Sequence, residues 1–551
     1  MNRVVLVRRG ASVEARECGD DGRVVGTARL PAEELAGFVR AREPGRVRWV
    51  WDDTTRWYPG LLDAGVRVER CTDLRLTHAV LRRSPFVDQS LLTDDETPGW
   101  DALQPVSATE AALFPLDDPA DRLDPVGEHR RQRVALAAAE ERSRLDLLLA
   151  AESSGALAAA EMTHAGLPWR ADVHERLLTE LLGPRPTAGR RPAVLEGLLA
   201  EIRRALRVPE LNPDSPGELL RALHAAGLPV PDTRSWTLER LDHPGIPALL
   251  EYKRLSRLLQ ANGWNWLDTW VRDGRFRPWF LPGGVVTGRW ASSGGGALSV
   301  PVQVRPAAVA DQGWRFVVAD VAQLEPRVLA GMSGDTAMAE AARSADLYEG
   351  MVAAGAVAGR ADAKVGMLGA MYGGTRGESG RMMPRLARRY PRAIGLVEEA
   401  ARAGERGELV HTLLGRGSPP PAGEWAARPV DLGEPADEEL PREVRDRHRR
   451  SWGRFTRNFV VQGTGAEWAL CWLADLRNRL WRLGSGTVAE RPHLVFFLHD
   501  EVVVHTPGHL AAEVADEVRH AAAAAGRLLF GSFPVDFPLD VSVVRSWAEA
   551  G

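Results

Sequence analysis

LVFFLHDEVVVHT, residues 494–506, sets two apolar runs around the triplet His499, Asp500 and Glu501, the pattern of two buried strands joined by a tight hairpin. A second stretch, RFVVAD at 315–320, ends an equally apolar strand in a carboxylate where a helical pattern begins. If the two strands are neighbours, Asp320 and Asp500 meet at one end of a sheet, and two like charges in contact need cations to stay ionised together. Oxygen ligands of this kind suit Mg²⁺, which takes a couple of carboxylates plus substrate phosphates rather than a closed protein cage. The alternative is that each aspartate merely caps its strand.

Between the two lies GRADAKVGMLGAMYGG, 359–374. Arg360, Lys364 and Leu368 recur every four residues and so share one face of a helix that ends at Tyr372, before Gly373 and Gly374. Two cations on one face beside a carboxylate-held metal pair suit a triphosphate, whose leaving pyrophosphate needs positive groups. Of 70 basic residues only Lys253 and Lys364 are lysine. Where arginine is the default, a retained lysine points to a need for a compact ammonium that can exchange a proton.

The 551 residues suggest two to four domains, and 44% hydrophobic with 26% charged residues excludes a disordered or fibrous chain. Residues 1–150 carry 22 basic and 26 acidic groups, which accounts for the net charge of -4. Residues 351–416 carry 11 basic and 6 acidic groups, including RGESGRMMPRLARRYPR, either an anion-facing surface or a solvated helix face. Cys18, Cys71 and Cys471 are too scattered for a disulfide framework or a cysteine zinc site, and a reducing cytoplasm is expected. The opening MNRVVLVRRG lacks a secretory core, and no stretch approaches a membrane span. The 13 histidines show no metal-ligand spacing, Gly373 to Gly380 is not a phosphate loop, and Ser292 lacks a nucleophile-elbow context.

Along the chain, VVLV, VRWVW and GVRVERC read as strands of an α/β domain followed by a helix in LRLTHAVLRR. An acidic, proline-rich stretch over 87–128 puts a boundary near 130, and strongly helical segments follow to 260. Glycine-punctuated short strands over 274–318 precede helices to 412, a breaker-rich and mobile loop over 417–441, and a last helical block over 442–483.

VVADVAQLEPRVLAGMSGD (317–335), RADAKVGMLGAMYGG (360–374) and FFLHDEVVVH (496–505) resemble, in order, motifs A, B and C of the family A DNA polymerases of the bacterial DNA polymerase I type. TGRWASS (287–293) is similar to the family's primer-template-gripping segment, and RFTRNFVVQGTGAE (454–467) repeats its Arg, Asn and Gln at four-residue steps. LNPDSPGELLRALHAAG (211–227) and LLEYKRLSRL (249–258) resemble stretches around the thumb, so the resemblance covers roughly 130–551. It implies an α/β and α+β multidomain chain. A ribonuclease H-like, exonuclease-type domain (1–130) would be followed by a helical connection and thumb (131–270), palm (271–345 and 446–551, an antiparallel sheet) and helical fingers (346–445).

The resemblance also implies site residues. Asp320 and Asp500, with the backbone carbonyl of Val321, would bind two Mg²⁺ ions, for which Mn²⁺ could substitute, with Glu501 close by. Arg360 and Lys364 would grip the triphosphate, and Lys364 would protonate the leaving pyrophosphate. Glu325 matches the steric gate against a 2′ hydroxyl, Gln323 and Leu368 would line the nucleotide, and Tyr372 would stack at the templating position. His499 would touch the primer end, and Arg289, Arg454, Asn458 and Gln462 would contact DNA, largely in the minor groove. Primer-template DNA and dNTPs are the implied partners of a monomer with no membrane association, in the bacterial cytoplasm at the nucleoid and serving replication or repair.

This chain departs from the pattern at Val321 for tyrosine, Leu368 for phenylalanine, Met367 for asparagine, Pro326 in the helix start, and GGGALSVP after TGRWASS. WVWDDTTRWYPGLLDAGVRVERCTDLRLTHAVLRR (49–83) looks like the middle of the family's 3′-5′ exonuclease domain, but Arg8 and Arg9 stand where it has Asp-x-Glu and Trp57 takes its second aspartate position. An inactive remnant is therefore expected, and a 5′ nuclease domain has no room. A phage-type RNA polymerase, a catalytically weak or inactive primer-template scaffold, and a polymerase retaining exonuclease activity remain as alternatives.

Overall fold

The computed structural model describes residues 3–92, 99–102, 123–187, 189–293, 296, 300–374, 377–421 and 442–550. Strand β1 (Arg3–Arg9) sends Val4 and Leu6 into one apolar cluster with Trp49, Trp51 and Tyr58, and Val5 and Val7 into another with Val50, Leu74 and Trp100. Because successive strand residues face opposite sides, the sheet is covered on both. Its order is β3-β2-β1-β4-β5, in which β2 (Ser12–Cys18) and β3 (Val24–Pro31) are antiparallel, and β4 (Arg48–Trp51) and β5 (Cys71–Asp73) parallel. Helices α1 (Leu35–Arg42) and α2 (Thr54–Asp63) connect β3 to β4 and β4 to β5, and α3 (Leu74–Leu81), α4 (Gly99–Ala102) and α5 (Pro125–Ala138) follow β5.

GVRVERC does not form the strand its alternation suggests; only Cys71 joins the ladder. The Val68 N–H donates to the Tyr58 hydroxyl at 3.1 Å and the Glu69 N–H to the Glu43 carboxylate at 2.6 Å, so side chains take the donors a strand would use. Most of the acidic 87–128 stretch, and the 417–441 loop from 422 onward, lie outside the described residues.

The division of the chain does not follow a boundary at 130, which falls inside α5. One compact unit comprises Met1–Ala165, Trp279–Ser293 and Gly313–Val543; the other comprises Gly166–Pro278, Gly294–Gln312 and Val544–Gly551. In the first, α6 (Arg142–Ala165) packs on α2, α3 and β5 and also on the distant strand β12 (His493–Leu498) and the 41-residue helix α19 (Arg442–Arg482). A buried ion cluster ties these parts together. The Glu161 carboxylate accepts from the Tyr58 hydroxyl (2.6 Å) and from Arg477, whose guanidinium also donates to the Val68 carbonyl at 2.7 Å, and Arg67 lies 3.4 Å away. Around Glu161 the two guanidiniums outweigh burial and hold its carboxyl below the usual range.

The same unit holds a four-stranded sheet ordered β12-β13-β11-β14, in which β13 (Glu501–Pro507) runs antiparallel to both β12 and β11 (Trp314–Val321), with β14 (Leu539–Val544) at the edge. Helix α20 (Ala511–Phe530) packs on β11 and β13. After β11 come α13 (Leu324–Ser333), α14 (Thr336–Ala342), α15 (Leu347–Ala353), α16 (Arg360–Tyr372), α17 (Gly377–Arg389) and α18 (Pro391–Glu405). Two short strands, β9 (Phe280–Leu281) and β10 (Ala291–Ser292), pair antiparallel. Among the described residues no helix is long and apolar enough to cross a membrane, and all three cysteines are buried and free.

The second unit is mainly helical: α7 (Ala171–Leu182), α8 (Ala193–Leu206), α9 (Pro216–Ala225), α10 (Ser235–Leu238), α11 (Ile246–Asn262) and α12 (Trp264–Trp270), with a small sheet of β6 (Leu167–Pro168), β8 (Arg275–Phe276) and β7 (Val271–Arg272). Trp169, Trp266, Phe276 and His174 form its aromatic centre. The Trp169 indole donates to His174 Nδ1 at 3.2 Å, so Nε2 carries the proton and donates to the Asn262 carbonyl at 2.9 Å. Burial pushes the His174 imidazole down to about 4. Between that value and its unfolded pKa near 6.5 the unfolded chain binds a proton the folded one refuses, so acidification through this window costs about 3 kcal/mol of stability. Histidine C2 hydrogen exchange read by mass spectrometry is expected to give His174 a midpoint near 4.

Candidate active site

Strand register decides the site. Asp320 lies opposite Glu501 across β11 and β13, and the Val321 N–H donates to the Asp500 carbonyl at 3.0 Å. Three carboxylate residues thus share one corner of the sheet, as the apolar runs predict. The turn between β12 and β13 is only His499 and Asp500, and His499 has a φ of 56°. Gln323, just before α13, has a φ of 49°. Left-handed backbone at two non-glycine residues costs energy, and here it flanks both aspartates. Burial pushes the Asp500 carboxyl up; the Arg289 guanidinium opposes this, and Glu325 and Glu501 add to it.

A hydrogen-bonded chain borders this corner. The Glu325 carboxylate accepts from Arg289 at 2.6 Å and from the Tyr372 hydroxyl at 2.8 Å. Burial, then the Glu325 charge, raises the Tyr372 phenol to about 12, so it remains a donor. His499 is held below its ordinary value by burial and by Arg289, and so is neutral at pH 7.

Each member is anchored by packing. Trp290 stacks edge-on against Phe497 (5.0 Å) and beside Phe280 (5.5 Å), which brings its neighbour Arg289 to the end of β12. Gly288, at φ 86°, lies so close to the Arg416 guanidinium that a Cβ there would meet it at 2.7 Å, and the Thr287 carbonyl and Thr412 crowd Gly463 of α19. The loop carrying Thr412 and Arg416 is held by buried carboxylates: Thr412 donates to Glu467, and Arg416 to Glu152. Pro326 lies in the first turn of α13, where its missing N–H has no partner to lose.

On α16, Arg360, Lys364, Leu368 and Tyr372 are all exposed along one face, while Met367 is fully buried. The motif B departure at Met367 is therefore a core substitution, and that at Leu368 is exposed. Arg360 is held by Asp346, the cap of α15, at 2.7 Å, and Lys364 stands one turn further on. Arg454, Asn458 and Gln462 follow at four-residue steps on α19, with the Arg454 stem against Gly373. The Gln323 amide oxygen accepts from the Leu347 N–H at 3.0 Å and lies 3.4 Å from Arg327, which pins the chain entering α15.

Three positioning residues carry no mark in the sequence. Arg327, fully buried, donates to the carbonyls of Ala322 (2.8 Å), Ser344 (3.0 Å), Ala345 (3.0 Å) and Asp536 (3.1 Å) and to that of Ala342. Arg457 joins the Ala370 carbonyl of α16 (2.9 Å) to Glu398 of α18 (2.6 Å), and Asp346 orients Arg360. Replacing Arg327 with Met strands these carbonyls in the interior and is expected to cost about 3–5 kcal/mol, measured by urea unfolding.

The donor set at the sheet corner fits hard divalent cations. Like charges directly opposite across antiparallel strands repel, and carboxylate oxygens are ligands for hard divalent cations. Among the described residues no three His, Cys, Asp or Glu side chains form a ready metal cage.

The family model for DNA polymerase family A matches residues 193–549. The chain belongs to DNA polymerase family A. Its curated relatives in the family include the thermostable DNA polymerase I of Thermus filiformis, 27% identical over 341 residues, or 56% of this chain and 37% of the relative. DNA polymerase I of Pseudomonas aeruginosa is 26% identical over 388 residues, or 62% of this chain and 39% of the relative. This family A chain thus spans under two-fifths of the length of these relatives. Among solved structures, the POL domain of Pol1 from M. smegmatis, in complex with DNA primer-template and dNTP, has the same fold at a TM-score of 0.68 and 19% identity, over 100% of this chain and 95% of that one.

Proposed function

We propose that the chain is a DNA-directed DNA polymerase that transfers dNMP from dNTPs to a primer 3′ hydroxyl. The observation that carries this is the meeting of Asp320, Asp500 and Glu501 at one sheet corner of a family A chain. Asp320 and Asp500, with the Val321 carbonyl, would hold two divalent ions, Mg²⁺ or in its place Mn²⁺. Such ions lower the pKa of the attacking hydroxyl and offset charge on the phosphates.

The protein's own groups do the rest. Arg360 exchanges Asp346 for the triphosphate, to which its planar fork is matched. Lys364 Nζ donates a proton to the departing pyrophosphate oxygen. Arg289, Arg454, Asn458, Gln462 and His499 line the path of primer and template, where minor-groove acceptors are nearly the same for every pair. The aliphatic Leu368 packs against the nucleotide, and Tyr372 marks the templating end of the same helix face.

Glu325 is a wall whose position is fixed from two sides by Arg289 and Tyr372. Removing it in Glu325→Ala opens space beside the sugar, and discrimination against ribonucleotides is expected to fall about 10- to 200-fold. The ratio of kcat/KM for dNTP and NTP in single-nucleotide primer extension measures this. An unchanged ratio would remove Glu325 from the gate.

The N-terminal domain is read as an exonuclease-type fold that no longer proofreads. At the end of β1, the Arg8 guanidinium covers the Trp57 ring at 4.9 Å, and the Trp57 indole donates to Asp52. Asp53 and Asp73 nearby are used as caps of α2 and α3, and Asp53 pairs with Arg75 at 2.6 Å. Carboxylates engaged in this way are not open to a metal pair. Incubation of a labelled primer-template with Mg²⁺ and no dNTP is expected to leave the primer at full length; shortening would overturn this reading.

A further inference from the structure

Away from the sheet corner, a cavity of about 650 Å³ opens at the starts of β1 and β4, bounded by α3, α5 and α6. It lies at the opposite end of β1 from Arg8 and Trp57. Its volume is in the range of small-molecule sites.

The inner wall is cationic. Arg3, with a side chain 10% exposed, and Arg133, 13% exposed, sit with the half-buried Arg48, whose guanidinium donates to the Cys71 carbonyl at 2.9 Å. The acidic groups are at the rim: Asp20, which pairs with Arg3, is 70% exposed, its neighbour Asp21 is 61% exposed, and Asp146, shared by Arg133 (4.0 Å) and Arg142 (3.4 Å), is 45% exposed. Burial first, then repulsion from neighbouring arginines including Arg3, lowers both Arg48 and Arg133, the field an anion would relieve.

Polar capacity is left over in the same wall. Thr77, His129 and Gln132 are each 2% exposed and line the cavity. The Thr77 hydroxyl, His129 Nε2 and Gln132 Oε1 are buried without a hydrogen-bond partner among the described residues. His129 is neutral at pH 7, because burial and the adjacent Arg3 and Arg133 push it down to about 4. Buried polar atoms are nearly always paired in native proteins, and three of the exceptions belong to residues in the wall of this one cationic cavity.

We propose that this cavity binds a phosphate-bearing small molecule of mononucleotide size, its phosphate on Arg3, Arg48 and Arg133 and its remaining polar groups on Thr77, His129 and Gln132. Guanidiniums recognise phosphate oxygens through paired N–H donors, and a bare phosphate would fill only part of the space.

Calorimetric titration of the full chain in EDTA, with dAMP and separately with inorganic phosphate, tests this. dAMP is expected to saturate one site per chain, more tightly than phosphate does. Arg133→Gln is expected to weaken it about tenfold or more by removing a charge-assisted contact. Thr77→Val is expected to weaken it about threefold while leaving the ligand-free melting temperature unchanged or higher, since the hydroxyl it removes has no partner. This second variant decides the matter if Arg133→Gln does not fold. Lys364→Ala leaves the titration unchanged if the cavity is the site, and Arg133→Gln leaves primer extension unchanged. No saturation by about 10 mM dAMP, well above weak-site affinities, would overturn the proposal. So would phosphate binding as tightly as dAMP, or affinity that follows Lys364 and not Arg133 and Thr77.

Discussion

Asp500→Asn is expected to lower the primer-extension rate about 10³-fold or more while the protein stays folded, because a divalent ion contributes several kcal/mol at about 1.4 kcal/mol per factor of ten. The substitution keeps shape and changes only charge. Asp500 is at the two-residue turn between β12 and β13, and its carbonyl accepts from the Val321 N–H, a bond that Asn preserves. Removing a carboxylate that burial and the neighbouring Glu325 and Glu501 all disfavour leaves the melting temperature unchanged or raises it. Rate lost without stability separates a metal ligand from a structural cap, whose replacement costs stability instead. Single-turnover extension beside a thermal melt reads both, and equal rates for the two proteins would remove Asp500 from the chemistry.

Lys364→Ala is expected to slow nucleotide transfer about 10²- to 10⁴-fold, the range for a positioned general acid. Lys364 lies on the exposed face of α16, one turn beyond Arg360. Lys364→Arg restores the charge but not the exchangeable proton, since guanidinium does not deprotonate in the working range. Arginine is therefore expected to recover nucleotide affinity more than rate, a split between KM and kcat in steady-state extension. Full recovery of both would make Lys364 a point charge only. In a chain that uses arginine at 68 of 70 basic positions, this is the functional meaning assigned to an exception.

The sheet corner and the α16 face were legible because each rests on local pattern. Apolar runs around 315–320 and 494–506 place strands, and the carboxylates follow from where those runs stop. Four-residue spacing from Arg360 to Tyr372 defines a face wherever the helix packs. Arg327 was not legible: its partners include the Asp536 carbonyl, 209 residues away, and nothing distinguishes it from the other arginines. The structural part of Gln323 was not legible either: its amide oxygen accepts from the Leu347 N–H, 24 residues on. GVRVERC alternates like a strand, yet Tyr58 and Glu43 capture its backbone donors. Burial at Val66 and Val68 explains the alternation without a ladder. A boundary at 130 followed from composition, but α6 packs both against the N-terminal layer and against β12 and α19.

The central claim is that Asp320 and Asp500 serve template-directed synthesis. A denaturing gel of an end-labelled primer annealed to a template, incubated with the full chain, Mg²⁺ and one dNTP at a time, tests it most directly. The expected result is addition of one residue only with the dNTP complementary to the template base, lost in Asp500→Asn. Tight binding of the same DNA with no extension under varied Mg²⁺, Mn²⁺ and salt, or addition that ignores the template base, would contradict it.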